Sequence, residues 1–178
     1  MNRVVLRRRS WPIFCGIALL VLGVGMFFAV RTGEFRTGWQ GIPVYLAIAG
    51  ILGRIANCKL VLRDDALQVV NPLRTHVVPR AMIHGVSVGD DGTLEVHLDR
   101  DRTISVYAFG GSLVDHFKGT SSEAERKIIG WLNSGHAVSD AKGAPQARWT
   151  RCAPADLSLI LCVAISVAGA IWMKITSS

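Results

Sequence analysis

The stretch TLEVHLDRDRTISVYA, Thr93–Ala108, decides the fold of the polar part of this chain. Leu94, Val96 and Leu98 alternate with Glu95 and His97; beyond the Asp99–Arg102 turn, Ile104 and Val106 alternate with Ser105 and Tyr107. A side-chain period of two puts the apolar residues on one face, so the two runs read as antiparallel strands with one buried and one wet side.

Upstream the same period recurs in short runs. Lys59–Arg63, Leu67–Val70, His76–Val78 and His84–Val88 read as strands, separated by turn chemistry at Asp64–Ala66, Asn71–Thr75 and Pro79. Gly89–Gly92, with two aspartates between the glycines, is a hairpin signal. Downstream, Gly110 and Gly111 break the pattern and a further short strand is expected at Ser112–Val114. A helix follows, with Ser122 and Glu125 spaced as a capping box and Ala124, Ile128, Trp131 and Leu132 on one apolar face up to a stop at Gly135. The fold class is α+β: an antiparallel sheet or partial barrel of six or seven short strands with one C-terminal helix, joined to transmembrane helices.

Those helices come from three uncharged stretches. Ser10–Val30 runs 21 residues, Thr37–Gly53 runs 17 and Leu157–Met173 runs 17. A hydrocarbon core of about 30 Å needs roughly 20 helical residues. The middle run reaches that length only as Gly38–Cys58, with Arg54 snorkelling to the headgroups near one end. The domains read as 1–58, a basic tail and two-helix transmembrane hairpin; 59–135, the polar domain; 136–154, a linker; and 155–178, a third transmembrane helix. No span carries a mid-membrane acid or lysine, which argues against a transporter or proton relay.

Charge sorts the partners. The net charge is +7, yet Cys58–Cys152 holds 12 Lys and Arg against 11 Asp and Glu, so the excess lies beside the membrane segments. A nucleic-acid binder carries its cations on the folded surface, and nucleic acid is therefore not an expected partner. Arg3, Arg7, Arg8, Arg9, Arg54, Lys59, Arg63, Arg148 and Arg151 fall on one side of a three-pass scheme, and Arg31, Arg36 and Lys174 on the other. The positive-inside rule then makes this a multi-pass protein of the cell membrane with a cytoplasmic domain. Of the four cysteines, Cys15 and Cys162 lie in spans and Cys58 and Cys152 bracket the domain. None has metal-ligand spacing, and all are expected as free thiols.

The stretch LQVVNPLRTHVVPR, Leu67–Arg80, resembles a signature of small actinobacterial pleckstrin-homology (PH)-like domains of the low-molecular-weight antigen type, and YAFGGSL, Tyr107–Leu113, is similar to the segment after their last long strand. The resemblance runs over about Leu60–Leu132, with Val77 where the family commonly has a basic residue and Arg80 where it commonly has tryptophan. It implies a PH-like fold, frequent attachment to transmembrane helices and no enzymatic activity. The order of strands and closing helix is also that of PH domains.

Arg74, His76 and Arg80 are the candidate ligand-binding residues, since a basic turn between early strands can offer paired donors to a phosphate headgroup or an acidic peptide. The five histidines, His76, His84, His97, His116 and His136, lack helical metal-site spacing, so no metal is expected. No cofactor fingerprint and no nucleophile motif appears, and no catalytic residue is assigned. The expected function is a non-enzymatic, membrane-anchored module that binds a protein segment at the inner face of the bilayer. The alternatives are an anionic lipid headgroup sensor using Arg74, His76 and Arg80, or an accessory subunit of a membrane enzyme complex.

Overall fold

The structure, a computed structural model, describes residues 3–8, 10–33, 38–98, 102–110, 120–134 and 144–176. The expected strand at Ser112–Val114, the helix stop at Gly135, and His116 and His136 lie outside them, as do Asp99–Asp101 of the predicted turn. The chain divides into two compact units, Met1–Arg8 with Asn57–Thr150, and Arg9–Ala56 with Arg151–Ser178.

The first unit is built on two antiparallel sheets. One has five strands in the order β1 (Val4–Leu6), β2 (Lys59–Leu62), β3 (Ala66–Val70), β4 (Arg74–Pro79) and β8 (Gln146–Trp149). The other has three, β5 (Ile83–Val88), β6 (Leu94–Leu98) and β7 (Arg102–Val106). The predicted alternation holds in β6, where Leu94, Val96 and Leu98 are buried while Glu95 and His97 are half-buried. At the β5–β6 hairpin, Gly92 takes a φ of 78°, a left-handed angle that glycine adopts without strain. The Asp91 carboxylate accepts from the Thr93 backbone N–H at 2.9 Å and fixes the turn.

Leu60, Leu62, Leu67, Val69 and Val78 of the larger sheet and Val86, Leu94, Val96 and Val106 of the smaller meet in one apolar core. Helix α3 (Thr120–Ser134) adds the buried Ala124 and Ile128, with Trp131 and Leu132 at the margin, along the face that helical spacing selects. Each such Leu, Ile or Val contributes about 1.5–3 kcal/mol when it leaves water. The helix begins at Thr120, so Ser122 lies in its first turn and is not the cap.

Two strands were hidden from the sequence reading. The stretch 1–58 reads as a tail and hairpin, yet Val4–Leu6 pairs with Leu60–Leu62. The stretch 136–154 reads as a linker, yet Gln146–Trp149 pairs with Arg74–Val77. Strands this short, flanked by charge, show no alternation of their own; pairing to a preformed edge creates them.

The second unit has three helices, α1 (Ser10–Thr32), α2 (Gly41–Ala56) and α4 (Ala153–Thr176). Two of them, α1 and α4, are long and apolar enough to cross a membrane, and α2 is a shorter apolar helix. Side chains fix how α2 meets both neighbours. The Tyr45 ring lies over Gly23 of α1. Leu159 of α4 fills the space a side chain at Gly50 would need, and the indole of Trp39 fills that at Gly169. At the far end of the α2–α4 contact Arg54 Nη2 meets Asp156 Oδ1 at 2.5 Å. Arg54 is thus buried in an ion pair, where the sequence suggests a side chain snorkelling to headgroups. The carboxylate also accepts from the Cys152 backbone N–H at 3.2 Å, in the first turn of α4. All four cysteines are free thiols.

Candidate functional site

The structure places Arg74, His76 and Arg80 along one strand and just past its end, not in a turn. Arg74 opens β4 and is exposed, directly opposite Trp149 of β8. His76 follows two residues later on the same side, between Val69 and Ala147. Val69 is fully buried, so the imidazole sits at the rim of the core. Its pKa is held below the ordinary histidine value by partial burial first, and then by the Arg74 charge. Arg80 stands six residues beyond Arg74, about 20 Å away at roughly 3.3 Å per strand residue.

Arg80 has other work. Its guanidinium donates to the main-chain oxygens of Trp131 and Leu132, the latter at 2.8 Å, and lies 4.7 Å from the centre of the Trp131 ring. These oxygens belong to the last turn of α3, where carbonyls lack helical partners and the helix dipole favours a cation. The indole Nε1 of Trp131 donates to the Arg63 carbonyl at 2.9 Å, and the Arg80 backbone N–H donates to Asp65 at 2.9 Å. Arg80 therefore latches the end of the helix to the β2–β3 turn and the end of β4. The structure brings Arg74 and His76 together and leaves Arg80 apart. An imidazole whose cationic form is disfavoured, beside one exposed guanidinium, makes no convergent donor set for a phosphate.

The neighbouring turn is structural too. The Asn71 side chain donates to the Ser105 carbonyl and accepts from the Tyr107 backbone N–H, both at 2.9 Å, and so bridges the β3–β4 turn to the end of β7. The Asn71 carbonyl accepts from the Thr150 hydroxyl at 2.9 Å, and that hydroxyl lies 2.8 Å from the Thr75 hydroxyl. The motif with Asn71, Arg74 and Thr75 thus clamps two sheets and strand β8. On the wet face of the small sheet His97 lies 2.7 Å from the Ser87 hydroxyl and 3.3 Å from that of Thr103, a cross-strand polar ladder. Among the described residues no three His, Cys, Asp or Glu side chains gather as a metal-ligand group.

Among the described residues the sheets end on β1, β8, β5 and β7. Helix α3 lies against β5, Asn71 holds the end of β7, and β8 carries Arg148. β1 differs: Val4 and Val5 are each 47% exposed, and among the described residues this apolar strand pairs with β2 alone. Sequence reasoning missed it because its only signal is two valines and a leucine between arginines.

Residues 57–111 match the model of the bacterial PH domain family. The match runs from the start of β2 through β7, the part of the domain that follows α2 in the chain. No curated protein and no solved structure matches the chain.

Proposed function

We propose that this protein is a membrane-anchored, non-enzymatic interaction module. Three helices hold the PH-like domain at the inner face of the cell membrane, and the domain binds an extended protein segment by strand addition. The observation that carries the reading is the edge position of β1, an apolar strand that among the described residues pairs only with β2, so that its outer backbone can accept another strand. The phosphate-binding alternative is weakened by the distance between Arg74 and Arg80 and by the engagement of Arg80 with α3.

Three passes are supported by connectivity. β1 precedes α1, and β2 follows α2, yet the two strands share one sheet. Both ends of the α1–α2 segment are therefore on the same side of any bilayer, and if α1 crosses, α2 returns. The contact of α2 with α4 runs from Trp39 against Gly169 to Arg54 against Asp156. Thirteen residues of α4 cover about 20 Å at 1.5 Å each, so a short α2 still accompanies α4 through most of a hydrocarbon core. The arginines at positions 3, 7 and 8 favour the inner side.

The test is photocrosslinking in native membranes from a photoreactive residue at Val4 or Val5, with Glu95 on the β6 wet face as control. A discrete protein adduct from the edge and none from Glu95 supports strand addition. Salt-dependent binding of anionic vesicles that Arg74→Ala abolishes, with no protein adduct at the edge, overturns it. For orientation, an impermeant thiol reagent should reach Asp91→Cys in inverted vesicles only. Modification in intact cells refutes the inner-face assignment.

A further inference from the structure

Leu73 and Trp149 are large apolar side chains that are 55% and 62% exposed at one end of the five-stranded sheet. They are held in register. Arg74 faces Trp149 across the β4–β8 pair, and the Thr150 N–H donates to the Leu73 carbonyl at 3.0 Å. Thr150 itself is buried, bonded to Asn71 and Thr75. The turn before β4 and the end of β8 therefore form one stiff tip that shows Leu73, Arg74 and Trp149. Neither Asn71–Thr75 nor Gln146–Arg151 contains an acidic residue.

Chain length limits where this tip can be. Trp149 precedes Ala153, the first residue of α4, by four residues, which reach about 14 Å when fully extended. The headgroup layer on each side of the hydrocarbon is about 5–8 Å deep. At the same end of the sheet Lys59, paired with Val70, begins three residues after Ala56 closes α2. The tip is therefore at the end of the sheet where the chain joins two apolar helices. Tryptophan partitions to the headgroup region because its ring is apolar and its N–H is polar, and arginine beside it can meet lipid phosphates.

We infer that Leu73 and Trp149 insert into the interfacial layer of the bilayer, with Arg74 on the lipid phosphates. The lipid surface is thus a second, orienting contact of the domain, distinct from the edge that takes a protein segment. Arg74, in this role, is an interfacial cation and not part of a ligand pocket. The inference rests on the reading that α4 crosses a membrane, and its test separates the two.

The full chain is reconstituted in liposomes with a photoreactive diazirine residue at position 73, 149, 163 or 91, and lipid adducts are read by mass spectrometry. Val163 lies exposed within α4 and reports lipid contact of that helix; Asp91 lies exposed on the β5–β6 hairpin and reports water. Adducts at 73 and 149 about tenfold above those at 91, and approaching those at 163, are expected for interfacial residues. Adducts at 163 with none at 73 and 149 overturn the inference while leaving the anchor intact. Absence of adducts at 163 overturns the membrane reading, and the inference with it. All four positions are exposed, so each substitution leaves the core untouched; a circular-dichroism melt of each labelled chain verifies this.

Discussion

Arg80→Met is the substitution that best separates a ligand-binding arginine from a structural one. Methionine keeps the apolar stem and removes the guanidinium. Two main-chain contacts to the end of α3 are lost, each worth about 0.5–1.5 kcal/mol net. The stack on Trp131 adds about 0.5–1 kcal/mol at a half-exposed site, and a cation at a helix C-terminus about 0.3–1. These contributions share one charge, and water replaces part of each, so their sum is discounted to about 2 kcal/mol. That corresponds to about 30-fold in a local opening equilibrium. Hydrogen exchange on the full chain in nanodiscs should show it as about 30-fold faster exchange at the C-terminal turn of α3, with the β6 amides little changed. Arg80→Lys should fall between, because a single ammonium cannot both stack and serve two carbonyls. Unchanged exchange at α3 in Arg80→Met would refute the latch and return Arg80 to the list of ligand candidates.

Three further outcomes follow from the same geometry. Arg54→Leu strands the Asp156 carboxylate; since Asp156 is a third exposed, the cost should be about 1–3 kcal/mol, read as lost resistance to denaturing detergent, and Arg54→Leu with Asp156→Leu should recover most of it. Strict additivity of the two single losses would show that the pair is not coupled. Gly169→Ala places a methyl group where the Trp39 indole lies, so the helix unit should lose about 1–3 kcal/mol, relieved in part by Trp39→Leu; a Gly169→Ala chain as stable as the parent would contradict the contact. The lowered pKa of His76 means that the unfolded chain binds more protons than the folded one below the ordinary value of 6.5. Stability attributable to this residue should therefore be present above that pH and be lost as pH falls through the folded pKa. His76→Gln should flatten the slope, and an identical pH profile in the parent and the variant would remove the assignment.

The strand pattern of residues 59–106 was legible because each face has a distinct solvent: Leu94, Val96 and Leu98 face the core, and Glu95 and His97 do not. The apolar face of α3 was legible for the same reason, at a period near 3.6. The site was less so. Arg74, His76 and Arg80 look alike as cations in one short stretch, but an extended backbone spreads them over about 20 Å. What Arg80 does depends on Trp131, which the sequence separates by 51 residues. No local signal could pair them. Likewise Asp156 lies 102 residues from Arg54, and its role becomes visible only when α2 and α4 are in contact.

The insertion of α1 and α2 between β1 and β2 has a consequence for the domain's independence. Most of the sheet comes from one continuous stretch after α2, but Leu6 of β1 packs at the margin of the core and covers one edge of β2. A piece beginning at residue 57 lacks that strand and exposes Leu60 and Leu62 along an unpaired edge, which favours association through strand pairing. The hairpin, in turn, has both of its ends tied into one sheet, a closed loop whose ends cannot drift apart while β1 remains paired. In the proposed strand addition, the segment binds along the outer side of β1. A strand added there extends the pairing that closes the loop, and it can shift the β1–β2 equilibrium only to the extent that it binds the paired state more tightly than the frayed one. The proposed segment binding would act on Val4, Val5 and Leu6, the residues that pair β1 with β2.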